Sequence, residues 1–250
     1  MSGADRQIKR WRSIKQPIIT ELECFICNFK ENIQEFKTFK SNDMFNAGEL
    51  IRHECPNCLI IFGDLRFITM DQDEINKDYE DLYSYYNETN TTKYIDGVFE
   101  SLPDYLKDKT KSYIDYACGK WNLFIPNLKK RGYNIIGYDK YVKDPDNIVT
   151  NTIPNDTKFD ILINNNYIEH MINPLDEIYK IKSLVNTGGY IIFVTSCFEY
   201  IYTNTHYHTF FFSDKSLDII CKKFNLSLVL SKRIIFEDGV FTIAKIFMVN

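Results

Sequence analysis

The sequence predicts an α/β chain: a doubly wound, mostly parallel sheet that finishes on an antiparallel hairpin, preceded by a small cysteine-bracketed module. Three observations predict it. From Tyr94 onward, stretches of helical period alternate with short apolar runs. The last two runs, Leu226 to Phe236 and Val240 to Val249, lie close enough to pair as a hairpin. Two Cys-x-x-Cys pairs, Cys24/Cys27 and Cys55/Cys58, stand near the start.

Residues 1–66 read as a separate module, because the stretch between the cysteine pairs is too polar to supply its own core and a metal would replace one. Asn46 to Glu54 reads as a turn and a short strand leading to the second pair, and Leu59 to Gly63 as the strand leaving it. This is the logic of a zinc ribbon. Thiolates at Cys24, Cys27, Cys55 and Cys58, with 27 residues between the pairs, suit a closed tetrahedral zinc site of structural role, with His53 a neighbour or substitute ligand. Residues 67–110 form a helical connector, in which the acidic, tyrosine-rich run Asp71 to Tyr86 packs its aromatics on either neighbour.

The sheet domain occupies residues 111–250. A strand at Ser112 to Tyr116 is followed by a helix from about Asn122 to Arg131 and a strand at Tyr133 to Tyr138. A short strand near Ile148 precedes a buried one, Phe159 to Ile163, which ends in Asn164-Asn165-Asn166. The helix Pro174 to Val185 starts at a proline, carries Asp176 and Glu177 in its first turn, and stops before Gly188-Gly189. Tyr190 to Thr195 is a further buried strand, and after a long loop Ser213 caps the helix Leu217 to Phe224.

Within this order, an apolar strand ending in the tight turn Ala117-Cys118-Gly119, then a second strand ending in Asp139, is how doubly wound sheets hold an adenosine-bearing cofactor. The Asp139 carboxylate would accept hydrogen bonds from both ribose hydroxyls. The G-x-G-x-x-G pattern of dinucleotide oxidoreductases is missing, which disfavours that class. A net charge of -4 removes any global basic field, so nucleic acid is not the expected partner, although Arg6, Lys9, Arg10, Arg12 and Lys15 make the first segment locally basic. No apolar run approaches the roughly 20 residues of a bilayer span, and the polar start lacks a signal-peptide core, so a cytoplasmic protein is expected. Seven cysteines, four in close pairs, favour metal over disulfides there.

These motifs together resemble the class I S-adenosylmethionine-dependent methyltransferases over the 140 residues from Lys111 to the end. Ile114 to Gly119 matches the glycine-rich first motif, Ile136-Gly137-Tyr138-Asp139 the ribose-binding second, Phe159-Asp160-Ile161-Leu162 the fourth strand, and Thr187-Gly188-Gly189-Tyr190 the approach to the fifth. The resemblance implies a seven-stranded sheet and a cofactor lined by Asp115, Ala117, Cys118, Gly119, Trp121, Asp139, Lys140, Asn164 and Asn165. The paired cysteines are similar to the zinc-binding attachment of nucleotide-sugar methyltransferases, and the chain as a whole to methyltransferases of bacterial capsule-polysaccharide clusters. The implied acceptor is a small molecule, sugar- or phosphate-bearing, methylated on oxygen. Ile168-Glu169-His170 and His206-Tyr207-His208 look like the segments placed around it, with His208 favoured over His206 as the base, and Glu169 and His170 lining the pocket or supporting a divalent cation. In an extended stretch, His206 and His208 would share one side.

One departure from the family pattern stands out: Ala117 and Trp121 occupy positions where glycine is usual. Ala117 is mild if its φ stays negative. Trp121 near the methionine end would narrow the pocket, stack on substrate, or point into the helix–sheet interface; a blocked pocket would leave a degenerate fold serving as a binding subunit.

Overall fold

Two cysteine turns and the strands around them organise the first part of the computed structural model, which describes residues 2–85, 92–119, 123–142, 148–199 and 204–250. The chain divides into two units, one made of Met1–Tyr86, Glu169–Glu177 and Ser196–Lys223, the other of Asn87–Ile168, Ile178–Thr195 and Phe224–Asn250.

In the first unit, helix α1 (Gly3–Ser13) opens on a capping box, with the Asp5 amide donating to Ser2 Oγ at 3.1 Å and the Ser2 amide to the Asp5 carboxylate at 3.1 Å. The short hairpin β1 (Glu21–Glu23) with β2 (Lys30–Asn32) surrounds the first cysteine pair. Strands β3 (Lys37–Asn42), β4 (Glu49–Glu54) and β5 (Ile61–Gly63) form an antiparallel sheet whose fourth member is β11 (Phe210–Phe211). The register Phe210↔Phe62 and Phe211↔Ile61 draws a distant segment onto the expected strand. After α2 (Leu65–Ile68), α3 (Gln72–Tyr83) packs along α1. Arg10 bridges Asp78 at 3.0 Å and Asp81 at 2.6 Å, and Arg6 meets Asp81 at 2.7 Å. Two of the basic residues of the first segment are thus neutralised by the acidic run. The module also has an apolar cluster of its own, Trp11, Ala47, Leu50 and Phe67, so a metal does not replace its core outright.

In the second unit, α4 (Thr92–Ser101) precedes β6 (Ser112–Tyr116), α5 (Phe124–Lys130), β7 (Asn134–Tyr138), β8 (Val149–Thr150) and β9 (Phe159–Asn165). Helix α6 (Pro174–Ser183), whose first turn is counted with the first unit, leads to β10 (Val185–Thr195); α7 (Asp214–Phe224), also of the first unit but for its last residue, precedes β12 (Leu226–Ile235) and β13 (Phe241–Val249). The seven strands run in the order β12-β13-β10-β9-β6-β7-β8. The β10-β9, β9-β6, β6-β7 and β7-β8 pairs are parallel, while β13 pairs antiparallel with both β10 and β12. This is the expected doubly wound sheet with its antiparallel hairpin. Tyr113, Ile161, Ile163, Ile192 and Val194 join the core with Phe99, Phe124 and Leu128 of the helices. Their strand neighbours Ile114, Leu162 and Ile191 are equally buried, as both faces of a parallel sheet should be.

Three expectations shift by a few residues, each for a local reason. The strand ending at Ile163 runs on through Asn164 and Asn165, which take register partners Phe193 and Val194. Gly188-Gly189 does not separate helix from strand; it forms an irregularity inside β10, where a Cβ on Gly189 would sit 2.6 Å from the Asp160 carbonyl oxygen. Helix α7 begins at Asp214 because Ser213 Oγ already accepts from the Ser216 amide at 3.0 Å. No helix among the described residues is long and apolar enough to cross a membrane.

Candidate functional site

Each cysteine pair sits in the same kind of turn. The Asn28 amide donates to the Cys24 carbonyl and the Cys24 amide to Phe29 O; likewise Leu59 donates to Cys55 and Cys55 to Ile60 O. Asn28 and Leu59 occupy matching left-handed positions, at φ of 57° and 61°. The turns bring Cys24 Sγ to 3.5 Å from Cys58 and Cys27 Sγ to 3.5 Å from Cys55. All four sulfurs lie within 4.8 Å of one another. Sulfurs ~2.3 Å from a tetrahedral zinc are ~3.8 Å apart, so the donor set and its spacing fit that ion. The Cys24 thiol is lowered to about 6 by the Cys58 sulfur, while burial pushes Cys55 up to about 12.

In the second unit, the predicted cofactor residues gather at the carboxyl ends of β6, β7 and β9. The Cys118 amide donates to Tyr138 O at 3.1 Å and the Gly119 amide to Asp139 Oδ2 at 3.0 Å, which closes the turn after β6 onto the end of β7. Asp139 Oδ1 accepts from the Tyr141 amide at 2.8 Å. Burial pushes the Asp139 carboxyl up and the two amides pull it back only in part. Close approach here depends on Gly137, where a Cβ would come within 2.5 Å of Ile125 Cδ1 and 2.8 Å of Cys118 Sγ.

Ala117 departs from expectation. Its φ is +58°, in the left-handed region, so the methyl group at this glycine position is not the mild change that a negative φ would make it. Asn164 is fully buried; its Nδ2 donates to Tyr116 O at 3.1 Å, and its Oδ1 has no hydrogen-bond partner among the described residues. Asp115 is buried within β6, Asn165 is half-buried, and Lys140 is exposed with Nζ 4.8 Å from the Tyr141 ring centroid. Trp121 lies outside the described residues. Sequence reasoning passed over Tyr116 and Tyr138, whose rings meet at 5.0 Å at the ends of β6 and β7; the alternation that places them there was legible, their pairing was not. A small cavity of about 80 Å³ lined by Lys111, Asp160, Gly189 and Tyr190 lies at the amino ends of β6 and β9, well short of the roughly 300 Å³ of a ligand pocket.

The acceptor-side candidates all fall in the first unit, and the two loop histidines part company. The stretch is not extended: the His208 amide donates to Thr205 O across a turn. His206 is 2 % exposed, with Nδ1 2.9 Å from Asp43 Oδ1 and its ring 3.9 Å from Trp11 and 4.6 Å from Phe67. His208 instead meets His170, ring to ring at 4.9 Å, and its Nδ1 lies 3.2 Å from Cys197 Sγ. His170 Nδ1 is 2.9 Å from the Tyr207 carbonyl oxygen, which can only accept, so the proton sits on Nδ1 and Nε2 keeps its lone pair. Burial lowers His170 to about 4. Ligand atoms of Glu169, His170 and His208 lie within 4.8 Å of one another. Thr209 fastens this cluster, its amide and Oγ1 both donating to Glu169 O, and Arg52 donates to Thr205 O at 2.5 Å and His208 O at 3.2 Å. Asp43, Arg52 and Cys197 escaped sequence reasoning, since nothing near them in the chain marks their partners.

A family profile described as a methyltransferase domain matches residues 86–231. No curated protein matches the sequence. Among solved structures, 1,6-didemethyltoxoflavin-N1-methyltransferase of Burkholderia thailandensis, with bound 1,6-didemethyltoxoflavin and S-adenosylhomocysteine, aligns over 80% of this chain and 96% of its own, at TM-score 0.53 and 11% identity. A putative S-adenosylmethionine dependent methyltransferase from Listeria monocytogenes covers 64% and 99% at TM-score 0.46 and 11% identity. Magnesium protoporphyrin IX methyltransferase from Synechocystis, with bound S-adenosylmethionine, covers 74% and 89% at TM-score 0.43 and 15% identity. Of these three, the first alone supports a shared fold.

Proposed function

The chain belongs to the methyltransferase-domain family, and from that premise we propose that it transfers a methyl group from S-adenosylmethionine to an oxygen of a small acceptor. The acceptor class we assign, from resemblance, is a sugar, a nucleotide-linked sugar or a phosphoramidate-type group in bacterial capsule-polysaccharide synthesis, carried out in the cytoplasm. The observation that carries the cofactor half is Asn164 Oδ1, a buried acceptor with no partner among the described residues at the carboxyl end of β9. It stands with Asp139 at the end of β7 and the Gly119 turn after β6, the end of a doubly wound sheet where ligands bind.

The cofactor, when bound, supplies an electrophilic methyl group on a sulfonium. Asp139 has lone pairs beyond those taken by Gly119 and Tyr141 and would hold the ribose hydroxyls, while Asn164 Oδ1 would accept from the cofactor's ammonium. Asn165, Asp115, Ala117, Cys118 and Lys140 would complete the lining, and the same role is proposed for Trp121, which lies outside the described residues. A hydroxyl acceptor must lose its proton as it is methylated. We assign that task to the cluster of Glu169, His170 and His208, which follow β9 and β10 in the chain, and give His206 the role of anchoring the loop through Asp43. The cysteine tetrad holds one structural zinc.

Calorimetric titration of the zinc-loaded protein with S-adenosylmethionine and S-adenosylhomocysteine tests the reading. Asp139→Ala should weaken cofactor binding at least tenfold, and His208→Ala should lower kcat by about 100-fold with the cofactor Kd little changed. Unchanged constants in both variants would remove the site assignment. Failure of the wild-type chain to bind either compound would point to a methyltransferase fold serving as a non-catalytic binding or assembly subunit.

A further inference from the structure

We propose that Glu169, His170 and His208 form a divalent-cation site, chemically distinct from the cysteine tetrad. The three residues offer one carboxylate oxygen and two imidazole nitrogens, within 4.8 Å of one another. Three donors ~2.1 Å from one ion stand about 3.0–3.6 Å from one another, so an ion would draw this cluster together.

The hydrogen bonds behind the imidazoles point the same way. Histidines that bind metal usually spend their other ring nitrogen on an outer partner, which fixes the tautomer and aims the free nitrogen. His170 spends Nδ1 on the Tyr207 carbonyl at 2.9 Å, and His208 places Nδ1 3.2 Å from Cys197 Sγ. His170 is thereby left with Nε2 as its donor, and the Cys197 contact orients the His208 ring. Thr209 fixes the third arm, since its amide and hydroxyl hold the Glu169 carbonyl at 2.7 and 3.1 Å and its hydroxyl also holds Met171 O at 2.9 Å. Each imidazole thus has a partner behind it, and the backbone that carries the Glu169 carboxylate is held in place.

The donor set selects the ion. Two imidazoles with one carboxylate suit Mn²⁺, Fe²⁺, Co²⁺ or Zn²⁺ better than Ca²⁺ or Mg²⁺, which prefer oxygen alone, whereas four thiolates select zinc. Three protein donors leave coordination positions open, unlike the closed tetrad. What fills them rests on the proposed methyl transfer: an acceptor with two neighbouring oxygens, as in a diol or a phosphoryl group, matches the vacancy. In that case the three side chains act on the acceptor's proton through the ion they hold, which would lower the pKa of a hydroxyl bound to it, and not as a direct base.

The test uses the full chain with zinc in the tetrad, treated with a mild chelator and titrated with Mn²⁺ alone, free ion being counted by electron paramagnetic resonance. One Mn²⁺ per chain is expected, with ¹⁴N modulation from two imidazoles in the wild-type protein, which requires no variant to fold. His170→Ala and His208→Ala should each weaken binding at least tenfold, and Cys221→Ser should leave it unchanged. Absence of Mn²⁺ binding, or binding without the imidazole signal, overturns the proposal. Calorimetry with S-adenosylmethionine on the same sample keeps the two readings apart: cofactor binding without Mn²⁺ removes the cation site alone, and Mn²⁺ binding without the cofactor removes the methyl-transfer reading while the site stands.

Discussion

The two units reach an ordered state by different means. The second is layered: alternate residues of β6, β9 and β10 bury on both faces of the sheet, and its core is a continuous set of aliphatic and aromatic side chains. The first is tied: two cysteine turns, arginines on Asp78 and Asp81, a buried Arg52 on backbone carbonyls, and a nest of rings around His206. A layered unit loses stability gradually, as its core loses methylenes. A tied unit fails at its knots.

Zinc removal should therefore separate the two most sharply. Cys55→Ser, or a strong chelator, is expected to unfold the region around β1 to β5, because structural zinc contributes on the order of 10 kcal/mol to such modules, while amide protection in β6, β9 and β10 persists. Equal loss of protection in both units would break the contrast. Trp11→Ala tests the small apolar cluster: Trp11 is 1 % exposed and donates Nε1–H to Asp78 at 2.9 Å, so a cost of about 3–5 kcal/mol is expected. A value below about 1 kcal/mol would mean that metal and charge alone hold this unit. In the second unit, Gly137→Ala should cost about 1–3 kcal/mol through overpacking against Ile125 and Cys118, read as a lower denaturant midpoint. The smallest effect runs the other way. Ala117→Gly relieves a left-handed alanine and should stabilise by about 1 kcal/mol, raising the melting temperature by about 2–4 °C.

The same contrast decides what was legible in the sequence. Buried parallel strands announce themselves as apolar runs, and β6, β7, β9 and the closing hairpin stand within a residue or two of expectation. The cysteine pairs were equally plain, since each turn is built within six residues. Partnerships across long stretches of chain were not. Asp43 and His206 are 163 residues apart and Arg52 and Thr205 are 153 apart, and no local pattern in either segment selects the other. His206 and His208 read alike by spacing; the turn between Thr205 and His208 sends one to Asp43 and the other to His170. Gly188-Gly189 misled for a further reason, because a glycine pair marks a close approach inside a strand as readily as an end to it.

The pairing of β5 with β11 bears on how the chain is made. Synthesis at about 5–20 residues per second leaves the Ile61–Gly63 edge waiting on the order of 10 s for Phe210–Phe211 to emerge. The tetrad is complete by Cys58, so metal capture can cross-link the nascent chain early in translation, long before its final strand arrives. A tetrad that takes zinc during synthesis would tie the yield of native protein, as well as the stability of the finished molecule, to the supply of that ion.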